Sequence, residues 1–227
     1  MSIVANLMTS LLKAKELILG LIFPVYCVSC SKAGSELCIT CLSKCSPALR
    51  PTQSWIYPVF DYRDLTIKKS INLIKYKYKK RILAMYADVL YGRIIEELAD
   101  LDIMENFKNP ILIPIPLSSK RLRERGFNQT EILCRHISSL DNNQNFLFRN
   151  DILIKPHDTV HQARIKDRGT RLKNLSGTFT VRNQNLVLGR NIILLDDVVT
   201  TGATLNEARK VLKASGAKKV VAFTIAH

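Results

Sequence analysis

Apolar residues recur along this chain in two rhythms. The sharpest is a continuous run at 192–195 that ends on the acid pair Asp196 and Asp197. A short unbroken apolar run predicts a strand buried on both faces, as in a parallel sheet. Residues 203–215 then carry apolar positions at helical spacing and close on Gly216, and 219–225 is apolar again. Together they predict a strand, helix and strand joined as a right-handed crossover. Upstream, 55–62 and 111–116 read as strands, and 81–99 reads as an amphipathic helix. Gly126-Phe127-Asn128-Gln129 opens another helix. Strands alternating with helices predict an α/β domain, a parallel sheet with helices on both faces. Residues 2–19 place Ile3, Val4, Leu7, Met8, Leu11 and Leu12 on one face of a helix, opposite Asn6, Ser10 and Lys13. That face docks either on the protein itself or on a membrane surface. Residues 46–54, with Pro47 and Pro51, read as a linker. The boundary falls there, between a small module at 1–50 and a main domain at 51–227.

Composition adds a strong charge bias. In 227 residues, 34 lysines and arginines stand against 19 acids, a net charge of +15. Such a surface calls for a polyanion, either nucleic acid, an anionic membrane face or phosphorylated small molecules. The hydrophobic share of 47% is enough for a sizeable core. No secretion signal or transmembrane segment is evident, because Pro24 interrupts the longest uncharged stretch near the start. The expected location is therefore cytoplasmic, with peripheral attachment to the inner face of the membrane as the sharper variant for the front helix.

The acid pair and its loop suit a sugar phosphate. The turn after a buried parallel strand opens at the carboxyl edge of the sheet, where open α/β folds bind ligands. The next helix points its free N–H groups into that turn. Thr200, Thr201, Gly202, Ala203 and Thr204 can then wrap a phosphate with main-chain donors and hydroxyls, Gly202 allowing close approach. Asp196 and Asp197 repel phosphate but accept hydrogen bonds from a vicinal diol. The expected ligand has a phosphate at one end and a ribose diol a few ångströms away.

The thirteen residues 192–204 resemble the signature of the type I phosphoribosyltransferases. That resemblance implies a loop that binds 5-phosphoribosyl 1-pyrophosphate (PRPP) together with Mg2+. It also implies a basic loop holding pyrophosphate, for which Arg125 is a candidate in the stretch 118–125. A second implied element is a basic mobile loop at 157–174 with Arg164 and Arg168 as candidates, closing over the leaving group. His157 and His161 lie in the same stretch. Some purine enzymes place a general base where this chain has Thr200, and a threonine cannot take a proton near neutral pH. That argues against hypoxanthine–guanine salvage without excluding other acceptors.

Six cysteines in a chain without a secretion signal point to metal rather than disulfides. Cys27-x2-Cys30 and Cys38-x2-Cys41 supply four thiolates in two knuckles, the donor set of structural Zn2+. Such a site contributes on the order of 10 kcal/mol to folding a segment too short for its own core. A redox dithiol is the other reading, Cys45 is a competing ligand, and Cys134 reads as a small buried apolar residue.

The last candidate chemistry lies at 67–81. Lys68, Lys69, Lys75, Lys77, Lys79, Lys80 and Arg81 are interleaved there with Tyr76 and Tyr78. Cations that track a backbone, with rings on which bases stack, suit single-stranded nucleic acid. The plainer reading is a solvated helix face and turn, with Ile71, Leu73 and Ile74 buried.

Taken with Phe60-Asp61-Tyr62, Pro114-Ile115-Pro116-Leu117 and Arg125-Gly126-Phe127-Asn128-Gln129, these segments resemble the ComF family of competence-associated proteins from about residue 19 to the end. The resemblance implies a role in natural transformation, handling incoming single-stranded DNA beside the DNA-uptake machinery. PRPP or a nucleotide phosphate would sit in the 196–204 site. The alternative is an active phosphoribosyltransferase with an unknown acceptor.

Overall fold

A computed structural model describes residues 24–49, 53–155 and 178–227. The front helix at 2–19 and the basic loop at 157–174, with Arg164 and Arg168, lie outside the described residues.

The fold is a parallel sheet of five strands. In chain order they are β1 (Ile56–Phe60), β2 (Ile111–Pro114), β3 (Leu147–Phe148), β6 (Asn191–Val198) and β7 (Lys219–Ala226), and their order across the sheet is β1-β7-β6-β2-β3. β4 (Leu153–Ile154) and β5 (Thr180–Val181) form a separate antiparallel pair. The helices are α1 (Ile39–Leu42), α2 (Leu65–Lys77), α3 (Lys80–Glu105), α4 (Ser119–Arg125), α5 (Gln129–Leu140) and α6 (Ala203–Ala214).

Side-chain alternation along β6 shows why its sequence is apolar without interruption. Ile193 and Leu195 pack with Ile71, Ile74, Leu90 and Leu133, from α2, α3 and α5. Ile192 and Leu194 pack with Leu205, Ala208 and Leu212 of α6 on the other face. Both faces are covered, so no position in the run tolerates a polar side chain until the strand leaves the core at Asp196. β6 and β7 are parallel neighbours joined through α6, the crossover the sequence predicts.

One boundary differs from the sequence expectations for an identifiable reason. The helix predicted over 81–99 runs to Glu105, because Leu101 is still buried and Asn106 ends it in the left-handed region at φ 51°. The basic stretch is a helix followed by a turn. Tyr78 takes φ 46° and breaks it into the end of α2 and the start of α3.

Residues 46–48, read from sequence as linker, lie along β1. Ala48 N–H donates to Val59 O at 2.9 Å and Asp61 N–H to Ser46 O at 2.9 Å, with Pro47 bridged antiparallel to Phe60. Leu37 and Leu42 of the cysteine segment share the apolar cluster of α2 and α3. Polar contacts tie the same segment to α2 and its exit. Thr66 and Ser29 hydroxyls are 3.1 Å apart, Lys79 pairs with Glu36 at 3.2 Å, and Arg81 donates to Gly34 O at 3.3 Å.

Candidate functional site

The acid pair sits at the carboxyl end of β6, the middle strand of the sheet. Alternation places Asp197 on the same side as Leu195, toward α2 and α5, and both helices send a side chain to it. Lys75 Nζ of α2 lies 3.2 Å from Asp197 Oδ1. Gln129 Nε2 of α5 donates to Asp197 Oδ2 at 2.6 Å. Asp197 is 7% exposed and Gln129 is 2% exposed, so these are buried polar contacts of high strength. Among the described residues Gln129 Oε1 has no partner, and its amide serves Asp197 alone.

Asp196 accepts the Asp197 N–H on Oδ1 at 2.8 Å. Burial raises its carboxyl from the ordinary 3.8 to about 7, with help from the neighbouring Asp197 charge. The Asp197 N–H, Lys75 and Arg121 oppose the shift. An acid whose folded value lies above its unfolded value binds its proton more tightly when folded. Its contribution to stability is full below about pH 4 and is lost as pH climbs to about 7. Asp196→Asn has no such loss. Its stability advantage over the parent is expected to grow from pH 4 to pH 7 and then level off. A partly exposed group of this shift gives roughly 2 kcal/mol, and urea midpoints across that range measure it. A flat difference would mean that Asp196 titrates normally.

The loop after β6 turns at Gly202, which takes φ 73° and starts α6. Thr201 Oγ1 accepts the Ala203 N–H at 3.4 Å, and Thr200 and Thr201 are exposed. A methyl group on Gly202 would meet Gln53 Nε2 at 2.7 Å. Gly202→Ala therefore combines left-handed strain with a displaced side chain. It is expected to cost about 1–2 kcal/mol in thermal or urea melts; a neutral outcome would show that the turn relaxes freely. Beside the loop, Thr200, Val199, Tyr62, Arg63, Asp61, Leu49 and His227 line a cavity of about 380 Å³.

The Arg-Gly-Phe-Asn-Gln segment has a structural logic that its residue types conceal. Gly126 ends α4 at φ 76°. Phe127 packs on Tyr78 with ring centroids 4.6 Å apart. Asn128 caps α5, accepting from Thr130 N–H at 3.1 Å while donating to Ile115 O at 3.2 Å. Gln129 is thereby aimed at Asp197. Arg125 lies over the exposed Tyr76 ring at 5.7 Å. A second cavity of about 380 Å³ opens here, lined by Tyr62, Asn72, Lys75, Tyr76, Arg121, Glu124 and Arg125.

Lys75 and Lys79 of the basic stretch are thus held in ion pairs, with Asp197 and Glu36. Lys68, Lys69, Lys77, Lys80 and Arg81 remain exposed, and Lys80 covers the Tyr78 ring at 5.5 Å.

Cys27, Cys30, Cys38 and Cys41 gather with all four sulfurs within 4.8 Å of one another. Cys30 and Cys38 sulfurs are 3.8 Å apart, the edge of a tetrahedron with metal–sulfur bonds near 2.3 Å. Burial raises the Cys27 thiol, but N–H groups of Cys30, Ser29 and Cys38 outweigh it and bring the thiol down to about 6. The Ser29 hydroxyl lowers the Cys41 thiol, but Cys38 and Cys30 outweigh it and push the thiol up to about 12. Four thiolates this close need a cation between them, so the donor set fits a metal ion and is consistent with zinc. Cys45 donates to Cys41 O at 3.3 Å outside the cluster, and Cys134 is fully buried in the core.

Residues 139–227 match the model of the phosphoribosyl transferase domain. The chain is 29% identical to competence protein F of Haemophilus influenzae over 203 residues, 87% of this chain and 84% of that protein. It is 30% identical to competence protein ComFC of Bacillus subtilis over 168 residues, 74% of this chain and 62% of that protein. It is also 34% identical to the DNA utilization protein YhgH of Escherichia coli O157:H7, over 48% of this chain and 45% of that one. The chain thus spans less than two thirds of the last two relatives. A hypoxanthine phosphoribosyltransferase from Trypanosoma cruzi superposes on 63% of this chain and 63% of its own, at 12% identity and a TM-score of 0.40. With its parallel sheet, four-cysteine cluster and these matches, the chain is homologous to the competence proteins F and ComFC and has a type I phosphoribosyltransferase fold.

Proposed function

We propose that this protein supports natural transformation on the cytoplasmic side of the membrane, binding single-stranded DNA and, at the end of β6, PRPP or a nucleotide phosphate. The observation that carries the reading is the acid pair at the carboxyl end of the middle strand, followed at once by the Thr200–Thr204 turn and the start of α6. In this reading Asp196 and Asp197 accept the ribose hydroxyls. Thr200, Thr201, Gly202, Ala203 and Thr204 surround the 5-phosphate, and Mg2+ enters with the ligand. Arg125 faces the pyrophosphate, and Zn2+ occupies the four cysteines. Thr200 stands where a general base would be needed for purine chemistry, which disfavours hypoxanthine–guanine salvage; the alternative reading is phosphoribosyl transfer to a different acceptor.

Calorimetric titration of the zinc-loaded protein with PRPP, with and without magnesium, tests the reading. Micromolar, magnesium-dependent binding is the expected result. No heat from a protein shown to be folded would reduce this fold to a scaffold and leave DNA as its ligand.

The DNA half of the reading rests on the exposed cations Lys68, Lys69, Lys77, Lys80 and Arg81 beside the exposed Tyr76 ring. Changing Lys68, Lys69, Lys77 and Lys80 to glutamine is expected to weaken oligothymidylate binding. The slope of log K against log salt should fall by up to about 3, each phosphate contact on a single strand adding roughly 0.7. An unchanged slope removes the patch from the interface.

A further inference from the structure

Asp197 is an unusual diol acceptor in one respect. Both of its oxygens are already engaged, Oδ1 by Lys75 at 3.2 Å and Oδ2 by Gln129 at 2.6 Å. The two partners differ in kind. Gln129 is 2% exposed, and its neighbour Asn128 is fixed by the α5 cap. Lys75 is a flexible stem at the end of α2, with its side chain 17% exposed. It also lines the cavity that holds Arg121, Arg125, Asn72 and the rings of Tyr62 and Tyr76. The ammonium thus has carboxylate on one side and a basic, aromatic-walled pocket on the other. Glu124 is the lone acid among the described residues lining that pocket.

We propose that Lys75 is a counter-ion shared between the acid pair and this pocket, and that a phosphate group entering the pocket draws Lys75 away from Asp197 and opens the acid pair to a sugar diol. The proposal rests on the diol site described under Proposed function. A compact ammonium with three donors can turn from one anion to another by rotating its stem. A phosphate beside Arg121 and Arg125 offers it more negative charge than one carboxylate. Gln129 stays on Oδ2, so the carboxylate keeps its orientation when Lys75 leaves. Coupling of this kind is reciprocal, so the diol ligand strengthens anion binding by the same factor. The anion can be the pyrophosphate arm of a small molecule or a backbone phosphate of nucleic acid.

The test is calorimetry of ribose 5-phosphate on the full-length, zinc-loaded protein, alone, with saturating inorganic pyrophosphate, and with saturating oligothymidylate. In the parent, affinity for ribose 5-phosphate should rise about tenfold with at least one of the two anions. Lys75→Met should bind ribose 5-phosphate about tenfold more tightly without any anion and gain nothing further from one. Coupling to pyrophosphate alone assigns the pocket to a small-molecule phosphate, and coupling to the oligonucleotide assigns it to the nucleic acid backbone. Ribose 5-phosphate affinity that ignores both anions in the parent overturns this inference while leaving the diol site standing, and that arm needs no variant to fold. Full coupling retained in Lys75→Met overturns it too. No ribose 5-phosphate binding by either protein overturns the diol site and this inference together.

Discussion

Serine at Cys30 and Cys38 should strip the protein of its metal and cost it at least about 3 kcal/mol of stability. Four thiolates on a tetrahedral ion supply on the order of 10 kcal/mol of apparent binding free energy, and that energy is coupled to folding. Here it does not stop at the knuckles. Leu37 and Leu42 are buried among the side chains of α2 and α3, so loosening the segment exposes them. Each fully buried leucine adds roughly 1.5–3 kcal/mol of lost burial if it comes free. Metal analysis of the parent should find about one zinc per chain and that of the variant next to none. Urea unfolding should show the midpoint falling, and amide exchange should quicken in 24–49 and α2. A variant that keeps its zinc would move the ligand set to Cys45. A variant that loses zinc but not stability would make the cluster an appendage.

Asp196→Asn together with Asp197→Asn should lower PRPP affinity by more than about a hundredfold. The change removes two charged acceptors, and hydrogen bonds to charged groups contribute roughly 1.5–3 kcal/mol each. The fold should survive it. Asp196 carries a carboxyl raised to about 7, so its neutral replacement relieves strain in the ligand-free protein. Lys75, freed of Asp197, can turn into the neighbouring cavity, which it already lines. The double variant should therefore melt no lower than the parent at pH 8, while calorimetry with PRPP shows no heat. Oligothymidylate binding through Lys68, Lys69, Lys77 and Lys80 should persist. PRPP binding at parental strength would place the ribose somewhere other than the end of β6.

Sequence made some of this site plain and concealed the rest for a physical reason. The 192–204 segment is local: strand, acid pair, turn and helix start follow one another within thirteen residues, so pattern alone fixes their relation. The two cysteine knuckles are local in the same way. What pattern cannot report is which helix faces which end of a strand. Gln129 meets Asp197 across 68 residues of chain, and Lys75 comes from still farther upstream. In the sequence Lys75 is one cation among neighbours in a basic run; the helical phase of α2, which puts Lys75 one turn beyond the buried Ile71, separates it from the exposed Lys77. Residues 46–48 read as linker because proline and serine dominate there, yet their backbone groups pair with β1. The short strands β3, β4 and β5 left no readable signal, since two residues cannot show a period.

The pairing of 46–48 with β1 bears on solubility. β1 is the border strand of the sheet, with β7 on its inner side and residues 46–48 bridged to its outer side. An open border strand is a template for another chain, and proteins blunt it with proline or by covering it. This one does both, with Pro58 inside the strand and Pro47 in the cover. The cover begins five residues after Cys41, the last cysteine of the cluster, so it is tethered to that cluster. Chelation would then do more than loosen a small module: it would uncover a strand edge, and metal-free protein should clump by edge-to-edge pairing at concentrations where the loaded form stays dispersed.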